Sequence, residues 1–249
     1  ACLFKCKRKF SESMKFCVII PCYNHSDTLG KVLDEIGGKT PVIVVDDGSN
    51  PPVSVSLSGI YLLRNEKNKG KAAALKSGFK LAAELGFTHA ITLDSDGQHP
   101  PRFIGDFIRK ASENENNIIL GIRNFDEPAV PAARKFMNKL SNICMWGETG
   151  VRIADTQCGY RCYPLAKLEK LNIPREGFVF EVELLVKAAW ANIKFSEVKI
   201  PAIYSLETLS KSHYRPLVDT AKFTFMNIRL LLIRLFTTSK MREKISIKK

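Results

Sequence analysis

Two aspartates one residue apart, Asp94 and Asp96, end an apolar run in "AITLDSDGQHPP" (residues 90–101). On a continuing strand, side chains at i and i+2 project to the same side. Two carboxylates that close repel unless a cation lies between them or one keeps its proton. A hard divalent ion satisfies both, and Mg2+ commonly shares its shell with substrate phosphates. A paired acid and base would instead need environments that drive their pKa values apart. Neighbours on one strand tip are poorly placed for that, so the spacing favours a metal clamp over acid/base work or a bare turn. Two other apolar runs also end in polar tips, "PCYN" (21–24) and "DDGSN" (46–50). Asp-Gly alone is a common turn. Three such tips together would rim one acidic crevice at the carboxyl ends of a sheet, where open α/β folds bind ligands.

The elements that must position these tips are legible as short β-branched runs alternating with helical patterns. "FCVII" (16–20), "VIVV" (42–45), "IYLL" (60–63), "AITL" (90–93) and "IILG" (118–121) read as buried strands. Residues 26–37 read as a helix with Ser26 or Asp27 as N-cap and Gly37 as its stop. Residues 70–86, rich in Ala, Leu and Lys, form a second helix ended by Gly86. Asn68, Gly70 and Lys71 stand at its start, where a helix N-terminus and an ammonium both attract anions. This alternation implies a mostly parallel sheet with crossover helices. Beyond residue 123 the pattern changes: 132–147 and 178–192 read as helices, "DTQCGYRCYP" (155–164) as a loop, and "KFSEVKIPAIY" (194–204) as a late strand. No G-x-G-x-x-G follows the first strand, which disfavours a dinucleotide site of that kind.

The 249 residues are 45% hydrophobic, and the length suffices for one large α/β domain or two small ones with a full core. The formal net charge is +13, and more than half of it lies in residues 1–13 and 237–249. Such a balance favours phosphate-rich partners: nucleotide, anionic lipid or nucleic acid. Residues 1–13 are expected to be a basic extension outside the folded domain. The seven cysteines lack paired metal-ligand spacing and read as reduced thiols of a cytosolic protein. Residues 216–236 form a long apolar helix, but Arg229 and Arg234 fall within its last eight residues. A membrane span needs about 20 mostly apolar residues. Two readings stay open: an interfacial helix whose basic side chains snorkel to headgroups, or a helix packed on the core.

"VIIPCYN", "VVDDGS", "NKGKAAALKSG", "LDSDGQHPP", "GIR" and "DTQCGYR" together resemble, in order and spacing, the inverting family 2 glycosyltransferases over about residues 16–215. The nearest branch is the one that includes dolichyl-phosphate mannosyltransferase. "SHYRP" (212–216) is similar to the "SHFRP" signature of bacterial members encoded without C-terminal membrane spans. The resemblance implies a GT-A fold: a Rossmann-like nucleotide-sugar half (14–123) and an acceptor half (124–215), followed by a C-terminal helix and basic tail (216–249). It matches Pro21, Tyr23, Asn24, Asp46 and Asp47 to the base and ribose contacts, with His25 where relatives often carry an acid. It matches Asp94, Ser95 and Asp96 to the D-x-D clamp for Mg2+ or Mn2+ on the diphosphate, and Gln98 to a further metal ligand. Arg123 matches an arginine near the diphosphate or acceptor phosphate. Lys71 is expected on the nucleotide sugar, and His213 falls near a lysine that reaches the diphosphate.

The implied reaction moves a sugar, with inversion, from a UDP- or GDP-sugar to a polyprenyl phosphate or an envelope glycan. It would take place peripherally on the cytoplasmic face of the inner membrane, with the C-terminal helix on the membrane surface and no nucleic acid. A phosphate acceptor is already anionic and needs no base; a hydroxyl needs a carboxylate. Asp155 is the first choice for that role, then Glu181 and Glu183, which at i and i+2 on a helix face different ways. Arg134 is a lesser candidate for an acceptor phosphate. Two rivals are a sugar-nucleotide nucleotidyltransferase, which should carry a Gly-rich loop in place of "PCYN", and a non-catalytic membrane-binding module, which has no use for three acidic strand tips.

Overall fold

A computed structural model of the protein describes residues 14–55, 58–127, 130–172, 179–203 and 216–248. The expected extension 1–13 and His213 lie outside them. The order is β1 (Phe16–Cys22), α1 (Ser26–Ile36), β2 (Val42–Asp46), β3 (Ile60–Arg64), α2 (Lys71–Glu84) and β4 (His89–Thr92). A 3-10 turn (Pro101–Phe103) leads into α3 (Ile104–Glu113) and β5 (Ile118–Arg123). Then come α4 (Ala132–Thr149), β6 (Arg161–Pro164), α5 (Leu165–Lys170), α6 (Phe180–Trp190) and β7 (Phe195–Ile200), with α7 (Pro216–Phe236) and α8 (Ser239–Ser246) last.

The seven strands form one sheet in the order β3-β2-β1-β4-β6-β5-β7. β3, β2, β1 and β4 run parallel, β6 is antiparallel to both neighbours, and β7 pairs parallel with β5. β6 corrects the expectation of a loop over 155–164. Its four residues carry Arg161 and end in Pro164, so no apolar alternation marks them. They are nevertheless fully buried because β4 and β5 cover both edges. β6 also places a strand of the second half between two strands of the first, so both halves share one sheet.

Strand alternation sets the two cores. Val18, Ile20, Val42 and Val44 face α1 and α3, whereas Cys17, Ile19, Ile43 and Val45 face the layer that holds α2 and α6. Each fully buried Val or Ile contributes about 1.5–3 kcal/mol, which fixes the register and therefore the level of the strand tips. Gly37 ends α1 in the left-handed region, and Gly86 follows α2 at φ +77°. The N-cap of α1 is His25, one residue before the expected Ser26. The described cysteines, Cys17, Cys22, Cys144, Cys158 and Cys162, are all free thiols. Among the described residues no helix is long and apolar enough to cross a membrane.

Candidate active site

The tips of β2, β1 and β4 lie side by side at one edge. Cys22 pairs with Asp46, and Pro21 with Val45. Beyond β1, Asn24 adopts φ +56° and ties this tip to the next: its N–H donates to Ser49 Oγ (3.0 Å), and its Oδ1 accepts from Asn50 N (2.9 Å). Tyr23 stands between Cys22 and this turn.

Asp46 and Asp47 are buried and engaged by the chain itself. Asp46 accepts from Ser49 N (2.8 Å) and Val53 N (3.1 Å) and pairs with Arg64. Burial opposes its ionisation, but those amides and the guanidinium hold its carboxyl below the usual range. Asp47 accepts from Asn65 Nδ2 (2.7 Å), Lys69 N (3.1 Å) and Gly70 N (2.7 Å), which fixes the entry to α2. Gly48 lets the two loops touch: at φ +78° it has no Cβ, and one would lie 2.7 Å from the Lys67 carbonyl carbon.

β4 stops at Thr92, so Asp94 and Asp96 lie beyond the strand, Asp96 in a turn, rather than on a continuing strand. Ser95 is buried and hydrogen-bonds the Cys22 thiol. Lys71, the first residue of α2, places Nζ 2.6 Å from Asp94 Oδ1 and 3.0 Å from Glu181 Oε2 at the start of α6. Burial works against both charges. The Lys71 charge nevertheless keeps Asp94 low, and the two carboxylates keep Lys71 firmly an ammonium. Asp96 is pushed the other way, by burial and then by the Asp94 charge. Its hydrogen bond among the described residues comes from Gln98 N (2.9 Å). Two adjacent carboxylates, one of them reluctant to ionise without a nearby cation, fit a hard divalent ion. Among the described residues no third His, Cys, Asp or Glu joins them, so the amide of Gln98, water and substrate phosphate would complete the shell.

Of the three base candidates, only Glu181 joins this group. Asp155, the first choice, is fully buried and gripped by Arg123: Nε to Oδ2 at 2.7 Å and Nη2 to Oδ1 at 3.0 Å. Its Oδ1 also accepts from Gln157 N and Cys158 N, both at 3.1 Å. Such a bidentate, amide-backed carboxylate orients an arginine and has no lone pair left for a substrate proton. Glu183 turns away, to Arg229 of α7 and to Lys187 Nζ at 3.5 Å. Arg134 lies in the first turn of α4.

Three further residues shape this site. His99 is buried, and burial keeps it neutral against the pull of Asp94 and Asp96. Its Nδ1 accepts from Asp94 N (3.2 Å), which leaves the proton on Nε2 facing Cys158 Sγ at 3.8 Å. Gly159 packs under the ion group: a Cβ there would meet Lys71 Nζ at 2.9 Å, Asp94 Oδ2 at 3.0 Å and Glu181 Oε1 at 3.2 Å. Arg161, fully buried, donates to Thr156 O (2.8 Å), Cys158 O (2.7 Å) and Glu181 O (2.7 Å), tying the 155–160 loop to α6. Gly159 and Arg161 stand in "GYR", so the motif held the signal, but a glycine or arginine type does not state its contacts.

Residues 17–168 match the model of glycosyl transferase family 2. The chain belongs to this family. It is a glycosyltransferase. It is 27% identical to polyprenol monophosphomannose synthase of Mycolicibacterium smegmatis, over 78% of this chain and 79% of that one. It is 26% identical to UDP-N-acetylglucosamine–dolichyl-phosphate N-acetylglucosaminyltransferase of Methanococcus voltae, over 78% and 88%. Glucosyl-3-phosphoglycerate synthase of Mycobacterium tuberculosis, solved with Mn2+, UDP and phosphoglyceric acid, superposes with a TM-score of 0.61 at 18% identity, covering 91% of this chain and 80% of that one. The mixed sheet flanked by helices is the GT-A fold.

Proposed function

We propose that this glycosyltransferase moves a sugar from a nucleoside diphosphate donor to a polyprenyl phosphate, at a membrane surface that the C-terminal helix engages. The observation that carries the reading is the Asp94–Lys71–Glu181 group at the strand tips, beside the fixed Arg123. Relatives named for a polyprenol monophosphomannose product and for a dolichyl-phosphate acceptor support the acceptor. The structural neighbour bound to UDP and Mn2+ supports the donor class and the metal.

Asp94, Asp96 and Gln98 would hold Mg2+ or Mn2+, which when bound neutralises charge on the diphosphate. The chain's own residues do the rest. Lys71 stands ready to stabilise the leaving diphosphate, and preorganised positive charge of this kind is usually the largest catalytic contribution. Asp155 holds Arg123 in one orientation toward an anionic acceptor. His99 fixes the peptide N–H of Asp94, and with it the segment that carries both carboxylates. Asp46 and Asp47 fix the loops around the nucleotide tip by gripping backbone amides.

The test is purified protein with a panel of UDP- and GDP-sugars and Mn2+, scored for nucleoside diphosphate release with and without polyprenyl phosphate. Release that requires the lipid phosphate is expected. Pyrophosphate release would favour a nucleotidyltransferase, and no turnover with any pairing would refute the reading.

A further inference from the structure

α4 has two unlike faces. Its inner face holds the loop that carries Asp155: Asn138 and Asn142 donate to Ala154 O at 3.3 and 2.6 Å, and Asn142 Oδ1 accepts from Thr156 N at 3.0 Å. Its outer face carries Phe136, Leu140, Ile143 and Trp146 in one stripe at helical spacing, with Phe136 66% and Ile143 53% exposed. α7 repeats the pattern. Phe223, Met226 and Leu230 are buried, yet the opposite side shows Phe225 at 72% and Leu235 at 75% exposure. A helix apolar on both sides belongs in an apolar medium on both sides. The two helices meet where Leu231 reaches Gly147 and Arg234 Nη1 donates to Trp146 O (3.1 Å).

Charge names the occupant. Residues 132–147 and 220–242 contain no Asp or Glu. Lys139, Lys222 and Arg152 are exposed around the stripes, and Arg152 stacks over the Trp146 ring at 5.5 Å. An apolar stripe edged by cations and a half-exposed Trp has the chemistry of an anionic bilayer interface.

We infer that the outer face of α4 is a membrane-docking surface that works together with α7 and seats the bilayer directly behind the Asp155–Arg123 loop. This deepens the lipid-phosphate reading and rests on it: a phosphate carried at the bilayer surface would lie within about one helix diameter, roughly 10 Å, of the loop and reach it past the end of α4. α7 lies on the membrane beside α4 rather than crossing it.

The experiment uses the full chain with phosphatidylcholine vesicles, with and without phosphatidylglycerol, and with bromolipids as quenchers. Wild type should bind the anionic vesicles and lose tryptophan emission to bromolipid, while Trp146→Phe should lose that quenching because Trp190 is buried. Phe136→Ser and Ile143→Ser should each weaken partition at least about tenfold, with circular dichroism and melting unchanged. Equal binding by wild type and the Phe136→Ser/Ile143→Ser pair, with binding lost in Leu232→Ser/Leu235→Ser, would overturn the role of α4 in favour of α7 alone. No vesicle binding, with or without a dimer that Ile143→Ser breaks, would also overturn it. Transfer to detergent-solubilised polyprenyl phosphate separates the two claims: its absence in wild type sinks the proposed function, whereas vesicle binding reports the surface alone.

Discussion

Replacing Gly159 by alanine tests whether the Lys71–Asp94–Glu181 group is one mechanical unit. The Gly159 carbonyl is held by Thr92 Oγ1 at 2.7 Å, so the backbone has little room to retreat. The new methyl would lie 2.9–3.2 Å from three charged atoms, about 0.5 Å inside the usual ~3.5 Å optimum. Lys71 Nζ and Glu181 Oε1 end flexible chains, so the ions yield before the fold does. The stability cost is therefore expected at the low end of overpacking, about 1 kcal/mol. Misplacing charged groups by several tenths of an ångström, when a 1 Å error can cost ~10²-fold, should lower kcat/KM by about 10- to 100-fold. The assay is nucleoside diphosphate release alongside thermal melting, on wild type and Gly159→Ala. Unchanged kcat/KM with an unchanged melting temperature would refute the packing argument. A large fall in melting temperature would show that the backbone, not the ion group, gives way.

Asp96→Asn removes one carboxylate of the clamp and should abolish metal-dependent donor binding, measured by titration calorimetry; full activity would refute the clamp. Asp155→Asn breaks a buried, bidentate ion pair and should cost about 3–5 kcal/mol of stability, while KM for the lipid phosphate rises as Arg123 loses its orientation. Glu148 is fully buried, its carboxylate has no hydrogen-bond partner among the described residues, and burial with the Glu183 charge pushes its pKa from 4.5 to about 8. The folded state then keeps a proton that the unfolded state loses. Stability attributable to this group is full below about pH 4.5 and declines as pH rises to about 8, by at most about 4–5 kcal/mol. Glu148→Gln should flatten that decline in urea denaturation at several pH values, and parallel curves for variant and wild type would exclude the effect.

The first half of the chain was legible because its signals are local. β-branched runs gave β1 to β5, and Gly37 and Gly86 marked the helix ends where chain geometry requires them. The Lys71 position at a helix start was equally readable. What stayed hidden depends on partners distant in sequence. β6 looks like a loop because its burial comes from β4 and β5, not from its own pattern. Asp155 and Glu181 are both carboxylates near glycosyltransferase motifs, and residue type does not say that Arg123 engages one and Lys71 the other. His99 was visible beside the aspartates, but its task is set by a backbone N–H five residues earlier. The apolar face of α4 was equally present in the sequence; only the fold shows that its polar side faces inward.

The ion group also bears on which acceptor the site can serve. If Glu181 took a proton from a hydroxyl acceptor, it would become neutral and leave Lys71 with Asp94 as its single counter-charge, inside a partly buried site. That change removes stabilisation at the moment the base acts. An acceptor phosphate would impose no such loss, since it brings its own negative charge and would meet the Arg123 guanidinium held by Asp155. Glu181→Gln separates the two cases because it keeps shape while removing basicity. General-base catalysis contributes about 10²–10⁴ in rate, so a base role predicts a kcat loss of that size with KM unchanged. A role limited to positioning Lys71 predicts a loss no larger than the about 10- to 100-fold expected for Gly159→Ala, because Asp94 continues to hold the ammonium. Single-turnover transfer to polyprenyl phosphate reads the difference directly. A loss in kcat of about a thousandfold or more would overturn the base-free mechanism and return the hydroxyl-bearing glycans to contention as acceptors.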